Sequence, residues 1–464
     1  MLTYTFKDNS IPLYIQAYNY IKNDIVSGIL SPNEKLPSKR AFAENNGISI
    51  ITIQNAYEQL SSEGYIYAKA RSGYYVSEIK TRPLIPQAAI STEKICLPKK
   101  EENIDIDLSS NKMDPDNFPF SIWAKISRDT ISNKSRELME ISPSSGCLVL
   151  REAIKEHLRS FRGMLVDPAQ IIIGAGTEYL YGLIIQLLGY DKTYCTENPG
   201  YKKLAKIYEQ YNINCNFLDM DEKGLSIKSL NESKADIAHI SPNHHFPTGI
   251  TMPADRRYEI LAWANEASNR YIIEDDYDSE FRINKKPIPT LFSIDACQKV
   301  IYINTFSKSL SPTIRISYMI LPVELANLYY KRLSFYSCTV SNFEQYTLAS
   351  FIKEGYFEKH INRMRLYYAR QRQKLITLIN LSPLKEKIDI LENESGLHFL
   401  IRIHTRYKDK VICERLAALG IKLVPLYDYY LSSKKVEEHY FLINYSNLDM
   451  EKMPAVFDKI AAII

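Results

Sequence analysis

Four short stretches set reactive side chains at the ends of apolar runs. In the first, Ile301-Tyr302-Ile303 leads into Asn304-Thr305-Phe306-Ser307-Lys308, with Arg315 a few residues on. A lysine so placed can form a Schiff base with an aldehyde once burial and neighbouring cationic charge lower its pKa. The hydroxyls of Thr305 and Ser307 and the fork of Arg315 suit a phosphate on the same ligand. In the second, Tyr271-Ile272-Ile273 delivers Glu274-Asp275-Asp276-Tyr277 to the C-terminal end of a strand, where open α/β sheets take ligands. A buried carboxylate there could hold a protonated pyridine nitrogen. In the third, Ile171-Ile172-Ile173 meets Gly174-Ala175-Gly176-Thr177, a strand-to-helix turn that aims backbone N–H groups at an anion. The fourth, Ser241-Pro242-Asn243-His244-His245-Phe246-Pro247-Thr248-Gly249, is an irregular loop after the strand Ile237 to Ile240. Its adjacent histidines make a poor metal site, because neighbours rarely chelate one ion and no third ligand lies near. Each stretch also has a plain reading. A lone lysine is usually a surface residue, an acidic cluster is usually a solvated loop, and glycine turns between strand and helix are common.

The elements that position these residues fall into three parts. From Asp105 to the C-terminus, strand-like and amphipathic helical runs alternate, which predicts an α/β body (105–464) with a mostly parallel sheet and a small α+β part over about 325–464. Residues 79–104 hold Pro83, Pro86 and Pro98 and little periodicity, the signature of a linker. Residues 1–78 read as a compact helical head. Ser10 is expected to cap a first helix that accepts Pro12 in its first turn and stops at Gly28. A second helix spans Ser38 to Gly47. A third runs from Ser49 to about Glu63, with Ile53, Ala56, Tyr57 and Leu60 facing the core. Two short helices across Asn46-Gly47-Ile48 suggest a helix-turn-helix, and the alternation around Arg71-Ser72-Gly73 suggests a hairpin wing.

Composition sets the outer bounds. The chain has 464 residues, 45% hydrophobic and 24% charged, which excludes collagen-like and disordered classes. A net charge of +4 does not by itself imply nucleic acid, and residues 1–78 carry as many acidic as basic side chains. Lys35, Lys39, Arg40, Lys69 and Arg71 can nevertheless share one face. Seven scattered cysteines argue for a reducing compartment, and no apolar run is long enough for a bilayer, so a cytoplasmic protein without membrane contact is expected.

The run LPSKRAFAENNGISIITIQNAYEQLSSEGYIYAKARSGYYV resembles the winged helix-turn-helix of GntR-type transcription regulators. The resemblance implies double-stranded operator DNA as a partner. It places the third helix in the major groove, Lys39 and Arg40 at the phosphate edge, and Lys69 and Arg71 of the wing near the minor groove. Family members place arginine where this chain has Ile50, so base reading falls on Thr52, Gln54 and Asn55. One head holds few contacts, so a homodimer is expected.

The body stretches, taken in order with Glu197-Asn198-Pro199-Gly200-Tyr201, resemble fold-type I pyridoxal-phosphate enzymes, the class I/II aminotransferases. The resemblance implies pyridoxal 5'-phosphate as cofactor. Lys308 would form the Schiff base, Asp275 would pair with the ring nitrogen, Tyr277 and His244 would stand at the ring-oxygen side, and Tyr201 would lie against the ring. Gly176, Thr177, Thr305, Ser307 and Arg315 would hold the phosphate. Head plus body resembles the MocR subfamily of GntR regulators, which implies a regulator that senses an amino compound or pyridoxal phosphate itself. Two departures bear on chemistry. Tyr440 to Asn447 lacks the arginine with which aminotransferases grip a substrate carboxylate, leaving Arg402 as a substitute. Ile141 to Gly146 lacks a tyrosine that reaches a partner's phosphate. A working aminotransferase with an accessory DNA-binding head is the alternative; a cofactor-free body used for protein contact is a third reading.

Overall fold

In the computed structural model, residues 2–7, 10–79, 97, 104–282, 288–391, 396–432 and 438–464 are described. Contacts divide the chain into two units, Met1–Lys100 and Glu101–Ile464.

In the first unit, helix α1 (Leu13–Ser27) takes Pro12 as its N-cap, and no side chain caps it. The expected cap at Ser10 is therefore not formed. Buried Gln16 secures the entry instead, accepting from the Lys7 amide at 3.0 Å and donating to the carbonyls of Lys7 and Ile11. Helix α2 (Lys39–Asn46) is capped by Ser38, which accepts from the Ala41 amide, and ends on Gly47 at φ 65°, a left-handed position suited to glycine. Helix α3 (Ile50–Ser62) is capped by Ser49 and buries Ile53, Ala56, Tyr57 and Leu60, the face its spacing predicts. Strands β1 (Ile66–Lys69) and β2 (Gly73–Val76) pair antiparallel as the wing, Ile66 opposite Val76 and Lys69 opposite Gly73. One apolar cluster, including Ile21, Phe42, Tyr57, Leu60, Ile66 and Val76, joins all these elements.

The second unit opens with β3 (Ile106–Asp107), then α4 (Phe120–Asn133), α5 (Ser135–Leu138) and α6 (Leu148–Arg162). Eight strands form its main sheet: β4 (Ile171–Gly174), β5 (Tyr194–Asn198), β6 (Cys215–Asp221), β7 (Gly224–Leu225), β8 (Ile237–Ile240), β9 (Tyr271–Asp275), β10 (Val300–Thr305) and β11 (Ser317–Ile320). Their spatial order is β4-β11-β10-β9-β8-β5-β6-β7. The pairs from β10 through β6 are parallel. Because β11 is antiparallel to both β10 and β4, β4 runs with the parallel set as well. The sheet is thus mostly parallel, with β11 and β7 reversed. Isoleucine-rich strands such as β4, β8 and β10 are buried along their whole length, as expected of a sheet covered on both faces. Helix α7 (Thr177–Leu188) follows β4.

A smaller antiparallel sheet joins β12 (Ile388–Leu391), β13 (His398–Ile403), β15 (Val424–Pro425) and β16 (Tyr440–Asn444) in the order β12-β13-β16-β15, while β14 (Ile421–Lys422) pairs with β3. The common direction of β4, β5, β8, β9 and β10 has a functional consequence. Their C-terminal ends, carrying Gly176, Tyr201, His245, Asp275 and Lys308, open along one edge of the sheet. Among the described residues no helix is long and apolar enough to cross a membrane.

Candidate functional site

At that edge lies a cavity of about 280 Å³, lined by Thr177, Tyr201, Asp275, Tyr277, Thr305, Ser307, Lys308 and Arg315 among others. Of the residues expected around a cofactor, only Gly176 and His244 stand behind the wall. Gly176, at φ 96°, lies under Arg315, and a Cβ added there would fall on the guanidinium. His244 sits behind Tyr277, its Nδ1 2.9 Å from Asp278 Oδ2 and 3.1 Å from Tyr277 Oη. His245 and Phe246 reach the cavity instead.

The acidic run resolves by strand alternation. Glu274 and Asp276 point to one face and serve the scaffold. Glu274 accepts from the amides of Leu291 and Phe292, at 3.0 and 2.9 Å. Asp276 pairs with Arg162 at 2.5 Å and accepts from Tyr302 Oη at 2.6 Å, all buried. Asp275 points the other way, into the cavity. Its Oδ2 accepts from Tyr181 Oη at 2.5 Å and lies 3.6 Å from His239 Nε2. Its Oδ1 is buried with no partner.

Lys308 lies one turn into a short helix (Phe306–Ser309) that continues β10. Burial drives its pKa from the ordinary 10.5 to about 8, against the opposing pull of Asp278. The sequence suggested that cationic neighbours would share this work. The structure gives burial as the cause, and the charged neighbour is an acid.

At the other end of the cavity, helix α7 starts on Gly176 with no side-chain cap, and its first residues, Thr177 and Glu178, line the wall. Arg315 stands over Gly176 in the left-handed region (φ 54°) and pairs with Glu178 at 3.5 Å. Lys203 pairs with the same carboxylate. Ser307 Oγ is buried without a partner, whereas Thr305 Oγ1 already accepts from the Ser307 amide and from Ser317 Oγ.

Among the cavity residues to which sequence reasoning assigned no role are Tyr181, Glu197 and His245. Tyr181 lies four residues past Thr177 on α7, and its phenol in a buried apolar helix is the signal that could have found it. Glu197 is a carboxylate in the fully buried strand β5; burial, then the charge of Asp275, move its pKa up to about 8. His245 Nε2 stands 3.6 Å from it, and burial holds that imidazole down at about 3. Arg402, by contrast, is absent from the wall. It faces outward on β13, stacked over Tyr440.

In the head, the expected DNA-reading residues differ in freedom. Gln54 donates to Glu58 at 2.8 Å, and the Thr52 hydroxyl lies 2.8 Å from that of Ser49. Asn55 is exposed, and Ile50 and Ile51 are exposed at 46% and 70% at the start of α3. Arg40 is exposed near the start of α2, while half-buried Lys39 lies over the Tyr74 ring. On the wing, Lys69 lies over the Tyr75 ring, and Arg71 takes a left-handed turn position at φ 58°.

The residues present fit pyridoxal phosphate. An orphaned carboxylate oxygen suits a ring N–H, a half-buried amine with a lowered pKa suits an aldehyde, and an uncapped helix start with Arg315 suits a phosphate. The fold agrees. A kynurenine aminotransferase of Pyrococcus horikoshii superposes with a TM-score of 0.68 at 23% identity, covering 78% of this chain and 90% of that one. A multiple substrate aminotransferase of Thermococcus profundus superposes at 0.69 and 22% identity, covering 83% and 97%.

Fold and cavity together define a protein with an aminotransferase-like, pyridoxal-phosphate-binding body and a winged helix-turn-helix head. Residues 13–76 match the gntR family of bacterial regulatory proteins, and residues 103–460 match aminotransferase class I and II. The chain belongs to the MocR-type GntR regulators, HTH-type transcription regulators with an aminotransferase-like domain. It is 37% identical to the HTH-type transcriptional regulator YdeL of Bacillus subtilis over 90% of this chain and 89% of that one. It is 29% identical to the pyridoxine biosynthesis regulator PdxR of Corynebacterium glutamicum (91% and 89% covered). It is 27% identical to the probable rhizopine catabolism regulatory protein MocR of Rhizobium meliloti (96% and 92% covered).

Proposed function

We propose that this regulator senses an amino compound, or pyridoxal phosphate itself, through a Schiff base at Lys308, and that occupancy of the site changes how the heads engage operator DNA. The observation that carries the proposal is a half-buried, easily deprotonated lysine in the same cavity as a carboxylate with an orphaned oxygen, in one chain with a DNA-binding head. When bound, the cofactor supplies an aldehyde that exchanges between Lys308 and other primary amines. Asp275 holds the ring nitrogen's proton, Tyr277 donates to the ring oxygen, and Tyr201 covers the ring face. Gly176, Thr177, Ser307 and Arg315 seat the phosphate, with Thr305 bracing Ser307. Sensing is favoured over turnover because, among the described residues, Arg315 is the one arginine on the cavity wall, and the phosphate claims it. The proposal further comprises a head over 1–78, a linker over 79–104 and a body over 105–464 with a small part over about 325–464. The protein would act in the cytoplasm, as a homodimer on paired half-sites, because one head makes few contacts.

The direct test titrates DNA from upstream of the protein's own gene with the cofactor-loaded protein, adding free pyridoxal phosphate or a panel of amines and amino acids. At least one is expected to change affinity several-fold. Repeated release of oxoacid, with DNA affinity indifferent to every compound, would favour the aminotransferase reading instead.

Lys308 also sets a pH dependence. Only the neutral amine attacks an aldehyde, and the group's pKa is lowered, so the neutral fraction rises with pH and levels off above about 8. Cofactor uptake by stripped protein, followed by stopped-flow absorbance, should accelerate about tenfold per pH unit below that point and then flatten. A rate still climbing toward 10.5, the ordinary lysine value, would refute burial of the reactive amine.

A further inference from the structure

Helix α7 makes a contact that the proposed chemistry does not use. Tyr181, 3% exposed, projects from it toward the end of β9, and its phenol donates to Asp275 Oδ2 at 2.5 Å. Thr177, one helical turn earlier on the same helix, also lines the cavity. The Tyr181 ring packs edge-on to His239, with centroids 5.0 Å apart, and His239 Nδ1 lies 2.6 Å from Tyr208 Oη. Asp275, which lines the cavity, thus has one oxygen engaged by Tyr181 and the other, Oδ1, buried without a partner.

We propose that Tyr181 is a positioning residue that orients and tunes Asp275, fixing Oδ2 and leaving Oδ1 for the cofactor's ring nitrogen. This rests on the pyridoxal-phosphate reading of the cavity. The physical effect has a definite sign. A phenol that donates to a carboxylate stabilises the anion and makes it a weaker base. Without that hydrogen bond Asp275 becomes more basic, and the proton it shares with the ring nitrogen sits nearer the carboxylate. With the cofactor bound, Asp275 would then leave less positive charge on the ring, and the Lys308 nitrogen would hold its proton to higher pH.

Other titratable groups face the same centre. Around Asp275 these are His239 from β8, Glu197 from β5, Tyr208 from the helix after β5, Tyr201, and Tyr277. Around Lys308 they are Asp278 and His398. Glu197, held near 8, titrates in the same window, so comparison of variants carries the test rather than any single curve.

The experiment uses the full-length protein loaded with pyridoxal phosphate. Tyr181→Phe keeps the buried ring and removes the hydroxyl. The visible absorbance should persist, because Lys308 is intact. Its pH transition should move up by about one unit, and cofactor dissociation should strengthen on the order of tenfold, as expected for a lost hydrogen bond to a charged group. In an Asp275→Asn background the same substitution should leave the pH transition where Asp275→Asn alone puts it, because Tyr181 acts through that carboxylate. A wild-type transition in Tyr181→Phe, or an additive shift in the double variant, overturns the proposal. Wild-type protein that develops no visible band with pyridoxal phosphate refutes instead the cofactor reading beneath it. Coincident thermal unfolding of wild type and Tyr181→Phe separates tuning from misfolding.

Discussion

Lys308→Ala should give a folded protein that stays colourless in excess pyridoxal phosphate. The argument rests on where the lysine stands. It lies at the C-terminal end of β10, in the cavity that also presents Asp275 and Arg315. The alanine variant removes the amine but leaves the ring-nitrogen partner and the phosphate seat, so the cofactor should still bind, reversibly and without the wild-type band. Equilibrium dialysis would measure that residual binding, and absorbance would report the lost covalent link. The fold should tolerate the change, because Lys308 is half-buried and its buried acidic neighbour, Asp278, keeps its own partner in His244. One competitor exists: Lys203 also lines the cavity. It is about half exposed and its amine is engaged by Glu178, so it is poorly placed as the nucleophile. A wild-type band in Lys308→Ala that vanishes in Lys203→Ala would move the reactive amine to Lys203 and overturn the assignment. In the working case Lys308→Ala should bind operator DNA with an affinity that no longer responds to amines, because the head retains its own core.

What could be read from the sequence follows from how local each feature is. The buried face of α3, its Ser49 cap and the β1–β2 hairpin depend on residues within a few positions of one another, so spacing specifies them. The order of cavity residues was legible for a related reason. A parallel sheet puts the strand ends on one edge, so short motifs after β4, β9 and β10 converge without long-range knowledge. Strand alternation even explains why Asp275, between two scaffold carboxylates, is the one facing the cavity.

The illegible features are long-range. Tyr181 meets Asp275 across 94 residues, and nothing near either marks the contact. Glu197 and His245 approach each other only because β5 and β8 are neighbours in the sheet. The Ser10 cap failed because Gln16, a residue that local rules place inside the helix, folds back to satisfy the incoming backbone. Arg402 could be placed on a strand but not on a side of it; pairing with β12 and β16 decides that it faces away from the cavity.

The second large effect lies in the head. Tyr57→Ala should abolish operator binding while leaving the cofactor band unchanged. Tyr57 is fully buried on α3, with edge-on rings from Phe42 and Tyr74 at 6.1 and 5.1 Å, and its hydroxyl donates to the Pro37 carbonyl at 3.0 Å. It therefore joins all three structural parts that present the helix-turn-helix: α3, α2 with the turn before it, and the wing. Truncating a buried aromatic costs about 3–5 kcal/mol. A domain of this size has roughly 4–10 kcal/mol of stability in total. The variant head should thus lose about half or more of its stability and the close packing that presents α3, and calorimetry should show its transition lowered by roughly 15–30 °C. The body should not follow, because the apolar cluster around Tyr57 consists of head residues and contacts divide the chain after Lys100. Tyr57→Phe is the control. It keeps the ring and loses one hydrogen bond, worth about 1 kcal/mol, so it should retain DNA binding. Loss of the cofactor band in Tyr57→Ala would mean that head and body unfold as one unit. Retained DNA binding would mean that the third helix is not held in place by this core, and that a different surface reads the operator.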